Sequence, residues 1–417
     1  MASSECDVSR ASPAQGVGEG PSRFDWLDAA RGINILMVVA VHGVHGLVEA
    51  GRLSATPGYV AVNAAAYAFR MPLFFFLAGL FAAGDLPRGP GAFLRHRLAV
   101  IAYPYLLWSL IQGGLSAMLS NYVNDPVPAT QLLFLGWQPF GQFWFLYVLM
   151  LCHAALLACG RRGLLLAAVP GVAVASLIGS ATMTGTLCTY LPYFAVGAWL
   201  GGKRLAALVD HLRRPYRTYA AICLIYAFLL VLLWARVQLL PNGVLIKLAL
   251  GFGGSAVLIG GCWLLRGRTG LLERIGRVTL PILLLHVLAS AGLRIGLSML
   301  GVELAPLLLL GAVVLVGVVV PLAASRISRR AGIRGVVGFG AVRPGRGLPA
   351  MLLVLVVVAA LPFAVGHPPP SQAWRTLALL GLVLGIIAVW RWRAGAFTPT
   401  PRVAETGAMH AGSAVLP

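Results

Sequence analysis

Long apolar runs recur along the whole chain and alternate with short polar segments that carry most of the arginines. Runs of about 18 to 24 residues are long enough for a helix to cross the hydrocarbon core of a bilayer. Twelve runs are predicted to span the membrane, at about 31–48, 59–84, 98–120, 142–160, 164–179, 187–202, 217–235, 244–265, 278–298, 304–324, 349–366 and 374–390. The pattern predicts an all-α fold, a polytopic integral membrane helix bundle with about 10 to 12 transmembrane helices.

The composition excludes a soluble globular protein. Of the 417 residues, 59% are hydrophobic and only 11% are charged. A soluble domain usually has about a quarter of its residues charged, because it needs a charged surface. The bilayer is therefore the expected solvent of the apolar runs.

The formal net charge of +20 suggests a nucleic-acid partner until the basic residues are placed along the chain. With the N-terminus in the cytoplasm, 26 of the 32 Lys and Arg residues fall on the cytoplasmic side of the predicted spans. This imbalance is the positive-inside pattern of membrane proteins. No basic stretch is interleaved with aromatic residues that could stack on bases. We expect a multi-pass protein of the inner or plasma membrane, with both termini cytoplasmic and no nucleic-acid partner.

The polar segments divide the chain into five parts. Residues 1–22 and 393–417 have no apolar core and are predicted to be disordered cytoplasmic tails. Residues 23–325 form the predicted membrane bundle of about ten helices. A basic cytoplasmic linker at 326–348 then leads to two additional transmembrane helices at 349–392.

His42 in the first span is the leading candidate for chemistry, because a polar side chain inside the bilayer is costly unless it is buried within the bundle, which makes each such residue a functional candidate. Arg31 lies eleven residues earlier, so at 100° per residue both side chains fall within about 20° of one helix face. The two positions are roughly 16 Å apart along the axis, with Arg31 at the cytoplasmic end. This arrangement suits a long amphipathic donor with an anionic end, such as an acyl-CoA, and an imidazole can accept the proton of an attacking hydroxyl. From the spacing alone, a histidine that is only hydrogen-bonded within the bundle is the alternative.

Seven motifs in order along the chain resemble the membrane acyltransferase 3 family. They are FDWLDAARG at 24–32 followed by His42, FRMPLFFFLAG at 69–79, RHR at 95–97, PYLLW at 104–108, FWFLY at 143–147, YFAVG at 193–197 and LPILLLH at 280–286. Ala78 departs from the pattern, since members often have Ser there. The resemblance covers most of residues 24 to 300, and the last two predicted spans lie beyond the roughly ten helices of that family.

The resemblance implies a membrane-bound O-acyltransferase with an acyl-CoA donor and a hydroxyl acceptor. His42 would be the essential base, and Arg31, Arg95 and Arg97 would bind the donor. Acetyl is the commonest acyl group in the family, so acetyl-CoA is the expected donor substrate, and no bound cofactor is expected. Acceptors in the family include cell-surface sugars, glucans, lipid-linked glycans and macrolide-type metabolites, and the sequence does not choose among them.

Three further polar residues within the spans are candidates for acceptor binding or support. Arg70 lies well inside the second span, where a guanidinium needs a partner or a wet cavity, so we expect it near the site. His286 either orients the acceptor or packs as a polar bundle residue. Asn63 is one of the groups that could orient His42, since no carboxylate stands near it in sequence.

A metal centre and a transporter are the other interpretations. His42 and His45 have the spacing of a metal-binding pair, but no third ligand is close in sequence, so no metal is predicted. The six cysteines are scattered and are interpreted as small apolar core residues. A secondary transporter or exporter of a small metabolite or glycan would be expected to show repeated halves and carboxylates within its spans, and we find neither.

Overall fold

A computed structural model describes residues 24–124, 126–235, 243–340 and 347–366, with positions 381, 385, 387 and 389. Every regular element in this part of the chain is helical, which confirms the all-α prediction. In chain order the helices are α1 Asp25–Glu49, α2 Pro57–Ala82, α3 Pro90–Arg97, α4 Tyr103–Met118, α5 Trp144–Ile178, α6 Met183–Leu200, α7 Gly202–Asp210, α8 Pro215–Trp234, α9 Val244–Leu264, α10 Gly270–Gly276, α11 Thr279–Met299, α12 Pro306–Arg330 and α13 Gly347–Ala364.

Helical stretches long and apolar enough to cross a membrane account for most of the described chain. Eight are found there: Asp25–Glu49, Pro57–Arg88, Pro90–Met118, Gly141–Ile178, Pro215–Leu233, Val244–Leu264, Thr279–Met299 and Pro306–Arg330. The 18-residue helix α6 packs along α2 and α5, and α13 coincides with the predicted span at 349–366. The prediction of a polytopic membrane bundle is therefore confirmed. The predicted span at 374–390 lies outside the described residues, apart from isolated positions.

Helix α5 contains one residue with a non-helical backbone, Gly160, at φ 68° and ψ 177°. Only glycine adopts this conformation without strain. An uninterrupted helix of 35 residues would extend roughly 52 Å, well beyond a hydrocarbon core of about 30 Å. The break divides α5 into two segments that agree with the predicted spans at 142–160 and 164–179. Arg161 follows the break and donates a hydrogen bond to the carbonyl of Ala83 at the end of α2 (2.7 Å).

Helix α1 occupies the middle of the bundle and contacts α2, α9, α10, α11 and α12. Its crossing with α10 is unusually close, because a Cβ on Gly32 would collide with the backbone of Leu272 and Gly276. A Cβ on Gly276 would in turn collide with the carbonyl of Asp28. Small residues of this kind let helix backbones approach each other in a membrane, where burial of apolar surface gives little drive for association. This crossing fixes the N-terminal end of α1 against α10, next to the start of α11.

Candidate active site

The imidazole rings of His42 on α1 and His286 on α11 meet edge to face, with 5.2 Å between their centroids and an interplanar angle of 62°. His286 is buried, whereas His42 is half-buried and lines a cavity. The sequence predicted each histidine as a candidate by itself. The structure brings the two together.

The hydrogen bonds of His286 define which of its ring nitrogens carries a proton. Its Nδ1 lies 2.9 Å from the carbonyl oxygen of Ile282 and 3.0 Å from that of Leu283. A carbonyl oxygen only accepts, so Nδ1 is the donor and a neutral ring keeps a free lone pair on Nε2. That Nε2 is buried and has no hydrogen-bond partner within the described residues. His286 therefore presents an unused acceptor in the immediate neighbourhood of the His42 ring.

A cavity of about 390 Å³, here called the histidine cavity, adjoins His42. Its α1 lining runs from His42 to Glu49, so it lies toward the C-terminal end of that helix. Most of its wall is apolar, and its polar lining includes Gln112, Asn124, Gln142, Ser290 and Arg294. Apolar walls with a few convergent polar groups are typical of small-molecule sites.

Two glutamines in the wall of this cavity are connected to each other and to α11. The side-chain amide of Gln112 on α4 donates to the carbonyl of Leu284 (2.5 Å). The amide of Gln142 donates to Gln112 Oε1 (2.7 Å). Neither glutamine was predicted from the sequence, although an amide within the apolar run 98–120 was an available signal for Gln112. The chain of hydrogen bonds holds α4 and the segment before α5 against the helix that carries His286.

Arg70 is buried in α2, and its Nε and Nη1 atoms have no hydrogen-bond partner within the described residues. Its guanidinium stacks over the ring of Tyr67, 5.1 Å from the centroid. The fully buried Asn34 of α1, which sequence analysis did not single out, donates to the Arg70 carbonyl (2.6 Å). Arg70 is close enough to His42 and His286 for its charge to act on both rings.

Arg31 lies at the opposite end of α1 from the histidine cavity and is not part of its lining. It pairs with the buried carboxylate of Asp28 (3.1 Å) and stacks over Phe81 of α2, 4.5 Å from the ring centroid. Arg277 also approaches Asp28, with 3.7 Å between its Nε and Oδ2. The face shared by Arg31 and His42 remains a prediction from spacing, because these two side chains contact different helices.

Arg95 and Arg97 are not equivalent in the structure. Arg97 is mostly buried, contacts the carboxylate of Asp85 and stacks over Phe93, 5.2 Å from the ring centroid. Arg88 shares the same carboxylate (2.7 Å). Arg95 is exposed and donates from Nε to the carbonyl of Gly91 (3.3 Å). The positive charge of Arg97 is thus offset by a neighbour, whereas that of Arg95 faces outward.

The remaining sequence candidates have separate surroundings. Asn63 Oδ1 is buried and has no hydrogen-bond partner among the described residues, so it does not accept a hydrogen bond from His42. His45 pairs with Glu49 one turn later (2.9 Å). Within the described residues, no group of three His, Cys, Asp or Glu side chains could hold a metal ion.

Comparison with known proteins gives one match. A family model described as an acyltransferase domain matches residues 24–326, a range that begins just before α1 and ends in the last turns of α12. No curated protein and no solved structure matches the chain.

Proposed function

The chain belongs to the family of membrane acyltransferases whose acyltransferase domain matches residues 24–326, and on this basis we propose that it is an O-acyltransferase that uses acyl-CoA. The membership confirms the resemblance seen in the sequence motifs. The proposed reaction moves an acyl group, by default acetyl, to a hydroxyl of a carbohydrate or of a glycosylated or secondary metabolite. His42 is the proposed general base.

The contact between His42 and His286 at the wall of the histidine cavity is the main support for this proposal. A general base must reach the proton that it removes and must itself be held in place. The cavity gives an acceptor hydroxyl room beside His42. The free lone pair on His286 Nε2 is suited to accept an N–H from His42, which leaves the other nitrogen of His42 as the base.

The proposed reaction needs no further reactant beyond the acyl-CoA and the acceptor hydroxyl, with His42 carrying the proton between them. The acceptor oxygen attacks the thioester carbonyl while His42 takes the hydroxyl proton, and a tetrahedral intermediate forms. The guanidinium of Arg70, whose Nε and Nη1 have no hydrogen-bond partner within the described residues, stabilises the negative oxygen of that intermediate. Collapse breaks the C–S bond, and the protonated His42 returns the proton to the leaving thiolate. The products are the acyl ester and free CoA.

The two ends of α1 suit the two substrates. Arg31 lies roughly 16 Å along the helix from His42, and the histidine cavity lies beyond His42 toward the other end. We propose that the donor enters from the end of Arg31, Arg95 and Arg97, and that the acceptor enters through the cavity. Positive-inside asymmetry makes the arginine end cytoplasmic, which gives a plasma or inner membrane protein with cytoplasmic termini.

The test compares cells that carry the wild-type protein, His42→Ala, His211→Ala or no copy, by untargeted mass spectrometry of glycans, lipids and metabolites. His211 is an exposed histidine at the end of α7 and serves as the matched control. We expect an acylated species to disappear with His42→Ala and without the protein, and to persist with His211→Ala. Loss only in the cells without a copy would remove His42 as the base. A compound that changes sides of the membrane, with no change in any acylated species, would favour the transporter instead.

A further inference from the structure

A second cavity, here called the arginine pocket, lies between α10, the start of α11 and the end of α12, and has a volume of about 570 Å³. It lies at the end of α1 opposite to the histidine cavity, since Arg277 of its lining contacts Asp25 (2.9 Å). Half of its lining residues are arginines and none is acidic. The arginines are Arg274, Arg277, Arg326, Arg329 and Arg334.

Most of this positive charge is not neutralised within the described part of the chain. Arg277 has carboxylates around it, from Asp25 at 2.9 Å and from Asp28 and Glu273 at 3.7 Å. Arg334 donates from Nε to the carbonyl of Phe339 (3.0 Å), which leaves its charge in place. Arg274, Arg326 and Arg329 make neither an ion pair nor a side-chain hydrogen bond with a described residue. Several uncompensated guanidinium groups thus surround one concave space.

Two further features of the arginine pocket suit an anion. Ser325 lines the pocket and is 1% exposed, and its hydroxyl has no hydrogen-bond partner within the described residues. Such a hydroxyl is costly unless a ligand or water satisfies it. Val278, which also lines the pocket, immediately precedes the first residue of α11. The start of this 21-residue helix offers free backbone N–H groups and the positive end of its dipole.

A purely structural explanation accounts for only part of this arrangement. Arginines collect at the cytoplasmic ends of membrane helices, and Arg329 in the last turn of α12 also suits the helix dipole. That explanation applies equally to Arg213 and Arg214 before α8, which are exposed and line neither cavity. The positive-inside pattern alone does not explain why these arginines surround a concave space, or why the buried hydroxyl of Ser325 lacks a partner among the described residues. The basic loop offers a weaker anion site, because Arg97 and Arg88 there already share Asp85.

We propose that the arginine pocket binds phosphate groups and that its occupant is the nucleotide end of the acyl-CoA donor, an assignment that rests on the proposed function. Guanidinium groups bind phosphate oxygens through paired hydrogen bonds, and CoA carries its phosphates at the end remote from the thioester. Two helices lead from the pocket toward the histidines. Val278 is roughly 12 Å along α11 from His286, and Leu322 is roughly 14 Å along α12 from Val313 in the wall of the histidine cavity. An extended pantetheine arm spans such a distance.

The experiment measures CoA binding to the full-length protein in nanodiscs, because binding needs no knowledge of the acceptor. The test variant is Arg326→Gln/Arg329→Gln, and the matched control is Arg213→Gln/Arg214→Gln, which removes the same charge from an exposed basic segment. We expect the affinity for CoA to fall about tenfold or more in the test variant and to stay within about twofold of wild type in the control. Pantetheine lacks the phosphates, so its affinity should not change.

Three outcomes would overturn the assignment, and they can be told apart. Equal CoA affinity in wild type and test variant rejects the arginine pocket while leaving the acyltransferase proposal intact. A wild-type protein that binds no CoA rejects both the arginine pocket and the acyltransferase proposal.

An anionic phospholipid has the same phosphate chemistry, so nanodiscs with and without phosphatidylglycerol are compared by native mass spectrometry. If the test variant loses bound phosphatidylglycerol but keeps its CoA affinity, the pocket holds a lipid headgroup. Arg329→Gln alone serves if the double variant does not fold.

Discussion

His42 and His286 contact each other through their rings although they lie on the first and the eleventh helix of the chain, 5.2 Å apart between centroids. The contact pairs a half-buried imidazole, which faces a cavity, with a buried one whose Nε2 has no hydrogen-bond partner in the described part of the chain. In the proposed acyl transfer the His42 ring gains a proton, and the His286 ring is suited to hold it in position as it does so.

We expect His42→Ala to lower kcat by roughly 10²- to 10⁴-fold, because general base catalysis contributes about that much. The amount of inserted protein should match wild type, since alanine favours the helix. Steady-state kinetics on nanodiscs and quantification of membrane-inserted protein give the two values. A variant with normal kcat would show that another group takes the proton.

His286→Ala should lower kcat about 10- to 100-fold and leave KM for both substrates close to wild type, because in the proposed mechanism His286 acts through His42 and does not bind substrate. His286→Gln retains a side-chain oxygen that can accept from His42, so it should recover part of the activity. A purely structural role for His286 would instead give equal losses in both variants together with a lower melting temperature.

Arg70→Met should change activity and stability in opposite directions. Removing a buried guanidinium whose Nε and Nη1 lack hydrogen-bond partners among the described residues should raise the melting temperature, because the cost of burying the charge disappears. The same change should lower kcat roughly 10²- to 10³-fold if Arg70 stabilises the oxyanion. Arg70→Lys, which keeps the charge, is the control for activity. A variant that is both more stable and fully active would remove Arg70 from the mechanism.

Arg31→Ala and Arg97→Ala should each raise the concentration of acyl-CoA needed for half-maximal rate, since both lie at the proposed donor end. Arg97→Ala should also lower the melting temperature, because it leaves the half-buried Asp85 without its closest partner. Arg95→Ala removes an exposed charge and should not change stability. Unchanged donor dependence in both Arg31→Ala and Arg97→Ala would exclude these residues from donor binding.

Gln142→Ala should raise KM for the acceptor and leave that for the donor unchanged, because Gln142 lines the histidine cavity and not the arginine pocket. Its hydrogen bond to Gln112 fixes the wall against which an acceptor would lie. The measurement varies each substrate in turn at a saturating concentration of the other. A rise in the donor KM alone would place the acceptor elsewhere.

The apolar runs predicted the helices well because membrane insertion depends on local hydropathy, which a single sequence contains. His42, Arg70 and His286 stood out for the same reason, as polar residues in apolar surroundings. The contact between His42 and His286 was not predictable, since it depends on which helices pack together. That choice rests on close approaches such as Gly32 against Gly276, whose glycines look ordinary in sequence. The arginine pocket was missed because a row of basic residues shows charge but not concavity.

The break at Gly160 also determines whether the chain crosses the membrane an even or an odd number of times before α11. Asp25 and Arg277 form an ion pair, so the chain between them must cross the bilayer an even number of times. With the spans predicted from the sequence at 142–160, 164–179 and 187–202 taken as crossings, α1, α2, α4, α6, α8 and α9 contribute six crossings, and the two segments of α5 raise the total to eight. A continuous α5 would cross once and make the total odd, which would place Arg277 on the wrong side of the membrane from Asp25. A single glycine thereby sets the direction in which α11, the helix that carries His286, enters the bilayer.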